Sequence, residues 1–432
     1  MKINKNIYLS LSADIVHSGH INIIKKAKKY GNIIIGLLTD KAISEYRPFP
    51  LINFEQRYNI IKNIKFVSKI VKQNEWDDTI ILKKLKPEFV IHGDDWKNGP
   101  QKNLRNKVIK TIKRWGGKLI EVPYTKKISS SSIHKKIKNI YFNSNSRVSI
   151  LKRLINSKKI VRVLESHSAL TGLIVENLKI EKGDKIETFD AMWSSSLTDS
   201  TLRGKPDNQS VDYSTRISGL NEIMDVTTKP VIFDGDNGGR VEHIKFLVRS
   251  LERAGVSALV LEDKSGLKKN SLYKNQSGVK QESIKKFCKK LNVASSSKIS
   301  DDFYVIARIE SFILGKNLND AINRAESYVK SGADAILIHS KEKEPKEIFD
   351  FSKKFLKSKY YRPIVAVPST YSKTFEKDLI KNGVKIVIYA NHLLRSSYPS
   401  MVNTAKSILK DQRTFKIEKN LTPINQILDL IK

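Results

Sequence analysis

The chain has one cysteine, Cys288, in 432 residues. A single thiol excludes an internal disulfide. In its Lys-rich helical setting, "ESIKKFCKK", it is expected to pack rather than react. Long apolar runs are also missing. None approaches the roughly 20 residues that span a bilayer. The opening "MKINKNIYLSLSADIVHSGH" has no apolar h-region and no small-residue cleavage site. A cytoplasmic location with no membrane partner is the expectation. Acids are scarce: 44 Asp and Glu stand against 79 Lys and Arg, a formal net charge of +35. Such an excess first suggests nucleic acid. The lysines, however, are spread from "IIKKAKKYG" to "ESIKKFCKK" on what read as helix faces. They accompany abundant Ile and Asn, as an AT-rich coding bias would produce. Zinc-finger, RNP and KH signatures are absent. Nucleic-acid binding is therefore not expected as the main role, whereas a positive field attracts phosphorylated substrates.

What is present is 40% hydrophobic residues, enough to build cores in two or three domains. Residues 1–140 alternate strand and helix patterns, from "NIYLSLSAD" and "HINIIKKAKKYG" to "KLIEVPY" and "SSSSIHKKIKNI". That alternation predicts a Rossmann-like α/β domain with a parallel sheet. The short Asn- and Ser-rich "YFNSNSRVS", 141–149, reads as a linker. From 150 to 432 the alternation resumes with about eight apolar strand candidates, which predicts a (β/α)8 barrel.

Each of these strands stays apolar until its end and then turns polar. The ends carry Glu165 and His167, Trp193 and Ser195, Asp234 and Asp236, Glu262 and Asp263, Arg308 and Glu310, His339 and Ser340, and Asn391. A barrel gathers such ends at one mouth, where active sites lie. Asp234 and Asp236, two apart in "FDGDNGG", leave the strand on one side. Paired hard oxygens suit Mg²⁺. An Asx turn before the next helix would use the same residues. Arg308 at a strand end fits bidentate binding of phosphate or carboxylate. His339 could donate to the same anion or sit in the core as a satisfied histidine.

The motifs "WSSSLTDS", "DGDNGG", "EDKSGLKKNSL", "ARIESFI", "ADAILIHSK" and "NHLLRSS" occur in order from about 148 onward. This part resembles phosphoenolpyruvate mutase of the isocitrate lyase superfamily. The resemblance implies rearrangement of phosphoenolpyruvate to phosphonopyruvate. Mg²⁺ would lie near Asp234, with Asp236 and Glu262 acting partly through water. Trp193 and Ser195 match residues around the substrate carboxylate, and Asp207 the aspartate beside the phosphoryl group. Arg308 and His339 match its cationic and donor partners. Lys268 and Asn270 fall on the family's gating loop, which Gly266 would let flex. Lyases of the superfamily carry a cysteine in this loop, and this chain has none there. Phosphonopyruvate hydrolase is the nearer alternative, and "KKNSL" with Asn270 favours the mutase. The resemblance also implies exchange of the last barrel helix in a homodimer or homotetramer, for which "LTPINQILDLIK" has apolar spacing. A phosphonopyruvate decarboxylase would be a functional partner.

In the front domain "HSGH" places His17 and His20 three apart where a strand meets a helix. At that spacing both face one side, beside a helix N-terminus that attracts phosphate. Two solvated histidines would give the same pattern. With "HGDDW" and "ISSSSI" the set resembles the cytidylyltransferases over about residues 6–138. The resemblance implies CTP as co-substrate, bound by His17 and His20. Asp14 matches the motif aspartate, Ser129 and Ser130 the hydroxyl region, and Arg57 a basic helix residue. Leu11 stands where the family has glycine, and Arg47 where it has lysine. The pairing of modules resembles the bifunctional mutases of fosfomycin biosynthesis, in which the front domain passes CMP to a downstream phosphonate. A front domain that only binds nucleotide or regulates is the alternative.

Overall fold

The computed structural model describes residues 5–97, 101–123, 144–183, 185–266, 268–273 and 275–430. The front sheet consists of β1 (Asn6–Leu11), β2 (Asn32–Leu38), β3 (Val67–Gln73), β4 (Phe89–Gly93) and β5 (Lys118–Val122). Their order is β3-β2-β1-β4-β5, with every pairing parallel. The central run "NIIIGLL" is buried almost throughout, as a strand covered on both faces must be. Gly36 is required there, because a Cβ would come within 2.0 Å of the Tyr8 hydroxyl.

The second unit is a closed barrel of β6 (Val161–Glu165), β9 (Ala191–Ser194), β10 (Val231–Asp234), β11 (Ala258–Glu262), β14 (Tyr304–Ile309), β15 (Ala335–Ile338), β16 (Ile364–Ala366) and β17 (Val384–Tyr389). All eight pairings are parallel. Two small hairpins interrupt the alternation, β7 (Ile180–Lys182) with β8 (Lys185–Glu187), and β12 (Lys264–Ser265) with β13 (Lys280–Gln281). Alternate strand residues such as Val163, Ile232, Val260, Ile306 and Ile388 fill the barrel interior. The intervening positions, such as Phe233, Leu259 and Ala307, pack against the helices. Cys288 packs half-buried against this outer core.

The stretch 141–149 is not a linker throughout, because a helix runs over Ser144–Ser157. Leu151, Leu154 and Ile155 join the interior cluster. Lys152 bonds Asp302, and Ser257 bonds the Arg147 carbonyl, both just ahead of barrel strands. The helix therefore closes the barrel floor. Its polar Asn and Ser residues disguised an apolar stripe. On its other side Arg153 donates to the Leu51 and Pro50 carbonyls and to Asp40 of the front domain.

Beyond β17 the helix His392–Asp411 buries none of its residues, and Leu409 is 80% exposed. Among the described residues no helix is long and apolar enough to cross a membrane.

Candidate functional site

The barrel mouth is built from the strand ends. β10 delivers Asp234, and Asp236 follows after Gly235, whose Cβ would meet the Leu259 side chain at 2.4 Å. Asp236 has φ +49 and is buried. A non-glycine residue in this left-handed region is a strained position of the kind that collects at functional sites. The segment after β11 folds back over these acids. Lys268 Nζ contacts Asp236 and Ser196, and lies 3.0 Å from Asp207 and 3.9 Å from Asp234. Asn270 donates to the other Asp207 oxygen at 2.7 Å. Burial alone would lower the Lys268 pKa, but Asp236, Asp234 and Asp207 raise it above the ordinary lysine value. Burial would push Asp234 up, and Lys268, Arg216 and Arg308 hold it well below the usual carboxylate range.

Across the mouth Arg308 donates to Glu310, to Ser271 Oγ and, at 2.9 Å, to His339 Nδ1. A guanidinium has no acceptor, so Nδ1 accepts and the His339 proton sits on Nε2. Nδ1 also lies 3.3 Å from Glu310, and the shorter Arg308 contact decides the tautomer. Burial first, and Arg308 second, lower the His339 pKa and keep the ring neutral. Trp193, Ser195, Asp207, Lys268, Arg308 and His339 all line one cavity of about 50 Å³. That is room for one or two waters, too little for a phosphorylated three-carbon acid. The loop is shut in this structure and must open to admit substrate.

The expected trio Asp234, Asp236 and Glu262 does not converge on one point. Among the described residues no group of three or more His, Cys, Asp or Glu is placed to hold a metal. The reason is Lys268, whose ammonium already neutralises the two aspartates. Glu262 instead lies 3.6 Å from both Lys264 and Arg308, and its buried Oε1 accepts no hydrogen bond. Three buried carboxylates and one uncommitted oxygen still suit Mg²⁺, which keeps several waters and needs only one or two protein ligands. Not every polar strand end serves the mouth. Glu165 accepts from the amides of Leu393 and Leu394 and from His167. Asp263 is held by Tyr328 and Arg324.

Strand-end reasoning missed Arg216, which comes from the helix Tyr213–Val226. Its fully buried guanidinium donates to Asp199, to the Asp234 carbonyl and to the Ser194 carbonyl, and lies 3.7 Å from Asp236. In "YSTRISGL" it reads as a surface charge, so no sequence signal marks it. Arg216→Ala would leave buried aspartates uncompensated. We expect a loss of about 3–5 kcal/mol, read from the shift of the denaturant midpoint. Ser196 and Ser271 were also missed; both lie inside quoted motifs but not at the positions singled out.

In the front domain His17 caps the helix Ser18–Ala27, and the His17 and His20 rings lie 4.1 Å apart. His17 Nδ1 accepts from the Gly19 amide, and His20 Nδ1 from the His17 amide. Both neutral rings therefore carry their proton on Nε2. Burial, with His17 second, lowers the His20 pKa to about 4, and burial also lowers that of His17. Both histidines and Asp14 line a cleft of about 1060 Å³. Asp14 accepts from the Leu51 and Ile52 amides and so shapes the loop that carries Arg47. The reading of Arg57 as a substrate contact is corrected. Arg57 is completely buried, bonding the carbonyls of Ser12, Leu38 and Ile52 and the Asp40 carboxylate. Ser129 and Ser130 lie outside the described residues.

A closed parallel barrel with acids, a guanidinium and a lysine-bearing loop gathered at its mouth has the arrangement of barrel enzymes, whose active sites lie at that end. The profile of the family described as "Phosphoenolpyruvate phosphomutase" matches residues 151–409. The chain belongs to that family. The phosphoenolpyruvate phosphomutase of Tetrahymena pyriformis is 34% identical over 293 residues, 67% of this chain and 93% of that protein. The phosphonopyruvate hydrolase of Variovorax sp. is 32% identical over 62% of this chain and 91% of its own length. Among solved structures, the phosphoenolpyruvate phosphomutase of Streptomyces platensis subsp. rosaceus superposes with a TM-score of 0.61 at 33% identity, covering 66% of this chain and 94% of that one. A phosphonopyruvate hydrolase solved with oxalate and Mg²⁺ gives 0.58 at 28% identity, covering 67% and 94%. A second profile, "Cytidylyltransferase-like", matches residues 12–136. There the chain is 33% identical to an FAD synthase of Archaeoglobus fulgidus over 82 residues, 19% of this chain and 60% of that protein. It is also 33% identical to the ethanolamine-phosphate cytidylyltransferase of Mus musculus over 84 residues, 19% of this chain and 21% of that protein.

Proposed function

We propose that the barrel interconverts phosphoenolpyruvate and phosphonopyruvate, and that the front domain transfers CMP from CTP to a downstream phosphonate. The observation that carries the barrel reading is the shut loop. Lys268 and Asn270 close on Asp207 over a cavity too small to hold bulk water. In the rearrangement the bond from phosphorus to the enol oxygen breaks, and one to the methylene carbon forms. A phosphoryl group between those positions would be lost to any water present. Asp207 faces that group. Lys268, Asn270, Arg308 and the Nε2 proton of His339 surround its oxygens, while Trp193 and Ser195 hold the carboxylate end. Asp234, Asp236 and Glu262 are the residues that would hold Mg²⁺, which would supply further neutralising charge.

A coupled assay separates mutase from hydrolase. Phosphonopyruvate is supplied with Mg²⁺, ADP, pyruvate kinase, lactate dehydrogenase and NADH. NADH loss that requires pyruvate kinase reports phosphoenolpyruvate, whereas loss without it reports hydrolysis. Because the mutase equilibrium favours phosphoenolpyruvate, a phosphonopyruvate decarboxylase is the reaction expected to draw product onward. Release of pyrophosphate from CTP with 2-aminoethylphosphonate or 2-hydroxyethylphosphonate supports the front-domain reading, and none with any phosphonate favours a binding or regulatory domain.

Burial lifts Glu262 to about 7 in the metal-free chain, against the pull of Lys264 and Arg308. Mg²⁺ must displace that proton, so affinity falls as pH drops below 7. We expect a loss of about fivefold between pH 7 and pH 6, measurable by calorimetric titration with Mg²⁺.

The exposed terminal helix fits an exchange between subunits in a dimer or tetramer. Tyr398, Met401, Leu409 and Phe415 present apolar surface to solvent, each worth roughly 1.5–3 kcal/mol if covered. Met401→Asp with Leu409→Asp is expected to yield monomers in analytical ultracentrifugation; a monomeric parent protein would contradict the exchange.

A further inference from the structure

The cleft that holds His17 and His20 is not walled by the front domain alone. Its other wall comes from the barrel, at Asn177, Lys179, Thr188, Asp190, Thr228 and Lys229. These residues lie in segments that lead into barrel strands or their hairpin, so this wall is the barrel floor, the end opposite the mouth. The two units are fixed to each other beside the cleft. Arg153 binds the front-domain loop, its guanidinium 4.9 Å from the centre of the Phe49 ring, and the Ile186 amide donates to the Tyr46 carbonyl at 3.1 Å. The barrel thus clasps the loop that carries Arg47.

The charge of this cleft is unbalanced. Its barrel-side acids are already committed. Glu176 accepts from Thr227 and Thr228, and Asp190 from Lys158 and the Arg162 amide. On the front side both Asp14 oxygens accept amides, Asp78 accepts from Gln73, and the half-exposed Asp95 lies 4.0 Å from His92. The exposed Lys25, Lys26 and Lys29 line the cleft from the front domain and Lys179 from the barrel, and among the described residues none of these four forms an ion pair. The histidines present their Nε2 protons from the front wall. With the front-domain lysines beside the histidines, an anion held against the opposite wall would meet Lys179, next to Lys229, which donates to the Val175 carbonyl.

We propose that the barrel floor forms the acceptor pocket of the front domain's transferase, with Lys179 the main determinant and Lys229 and Thr188 beside it. This rests on the transferase reading above and assigns to its site a phosphonate dianion, bound across the cleft from the nucleotide. An oxygen of the dianion attacks the α-phosphorus of CTP, the bond from that phosphorus to the bridging oxygen breaks, and pyrophosphate leaves; no proton is released in this step. The two active sites then lie at opposite ends of one barrel, so phosphonopyruvate leaves the mouth without passing the cleft.

The test titrates 2-aminoethylphosphonate into full-length protein at 0.15 M salt, with and without a non-hydrolysable CTP analogue. Lys179→Glu is expected to weaken phosphonate binding at least tenfold. It should leave the analogue's Kd within twofold and the barrel's turnover of phosphonopyruvate unchanged. Lys343→Glu, an equal charge change on the mouth side, should alter none of these. Equal phosphonate affinity in parent and Lys179→Glu protein overturns the proposal, as does a parent protein that binds the analogue but no phosphonate. A parent that ignores the analogue yet loses phosphonate affinity on Lys179→Glu overturns the transferase reading and keeps the pocket.

Discussion

Lys268→Ala is expected to slow the interconversion of phosphoenolpyruvate and phosphonopyruvate by roughly 10²–10³-fold, the cost of removing one preorganised charge from a water-excluded site. Lys268 is the sole cation that touches Asp207, Asp234 and Asp236 together among the described residues. It neutralises the acids in this structure, and in the proposed reaction it would face the transferring group. Without it three buried carboxylates repel one another, and the loop loses its reason to close. Steady-state kinetics should show the loss chiefly in kcat. Lys268→Arg should not rescue it, because a planar fork cannot occupy the point where the compact ammonium sits. A variant with the parent kcat would remove the loop from the chemistry.

His20→Ala is expected to lower pyrophosphate release by a similar factor, about 10²–10³, and to leave the barrel reaction at the parent rate. The ring is held by the amide of His17 so that its Nε2 proton is available to a growing phosphate charge. Its pKa of about 4 means that it donates as a neutral group throughout the physiological range. His17 acts beside it, so the double variant should lose less than the product of the two single losses. Lys268→Ala should in turn spare pyrophosphate release, since the cleft opens under the floor and the loop closes over the mouth.

Much of this was legible in the chain. The alternation of apolar runs and helical patterns implied the front parallel sheet and the closed barrel, because buried parallel strands have little freedom in composition. The strand ends pointed to Asp234, Glu262, Arg308 and His339, since β-strand direction alone sends them to one rim. Other features depended on long-range packing. Arg216 lies on a helix and reaches the site only because that helix crosses behind β10. The floor helix at Ser144–Ser157 looked like a linker because its first residues are polar, and its apolar stripe appears only against the barrel. Arg57 was misplaced for the converse reason. A basic residue on an amphipathic helix resembles a ligand contact, and nothing local shows that four oxygens await it indoors. Lys268 was expected above an anion; that it would occupy the space between the acids depends on the loop's closed course.

The most direct measurement is a ³¹P NMR time course of phosphonopyruvate and Mg²⁺ with the full-length protein in water enriched in ¹⁸O. A shut loop that moves the phosphoryl group within the site predicts conversion to phosphoenolpyruvate with no isotope shift on phosphorus. Inorganic phosphate carrying solvent ¹⁸O as the first product would contradict it, because water would then have reached the group the loop is there to protect.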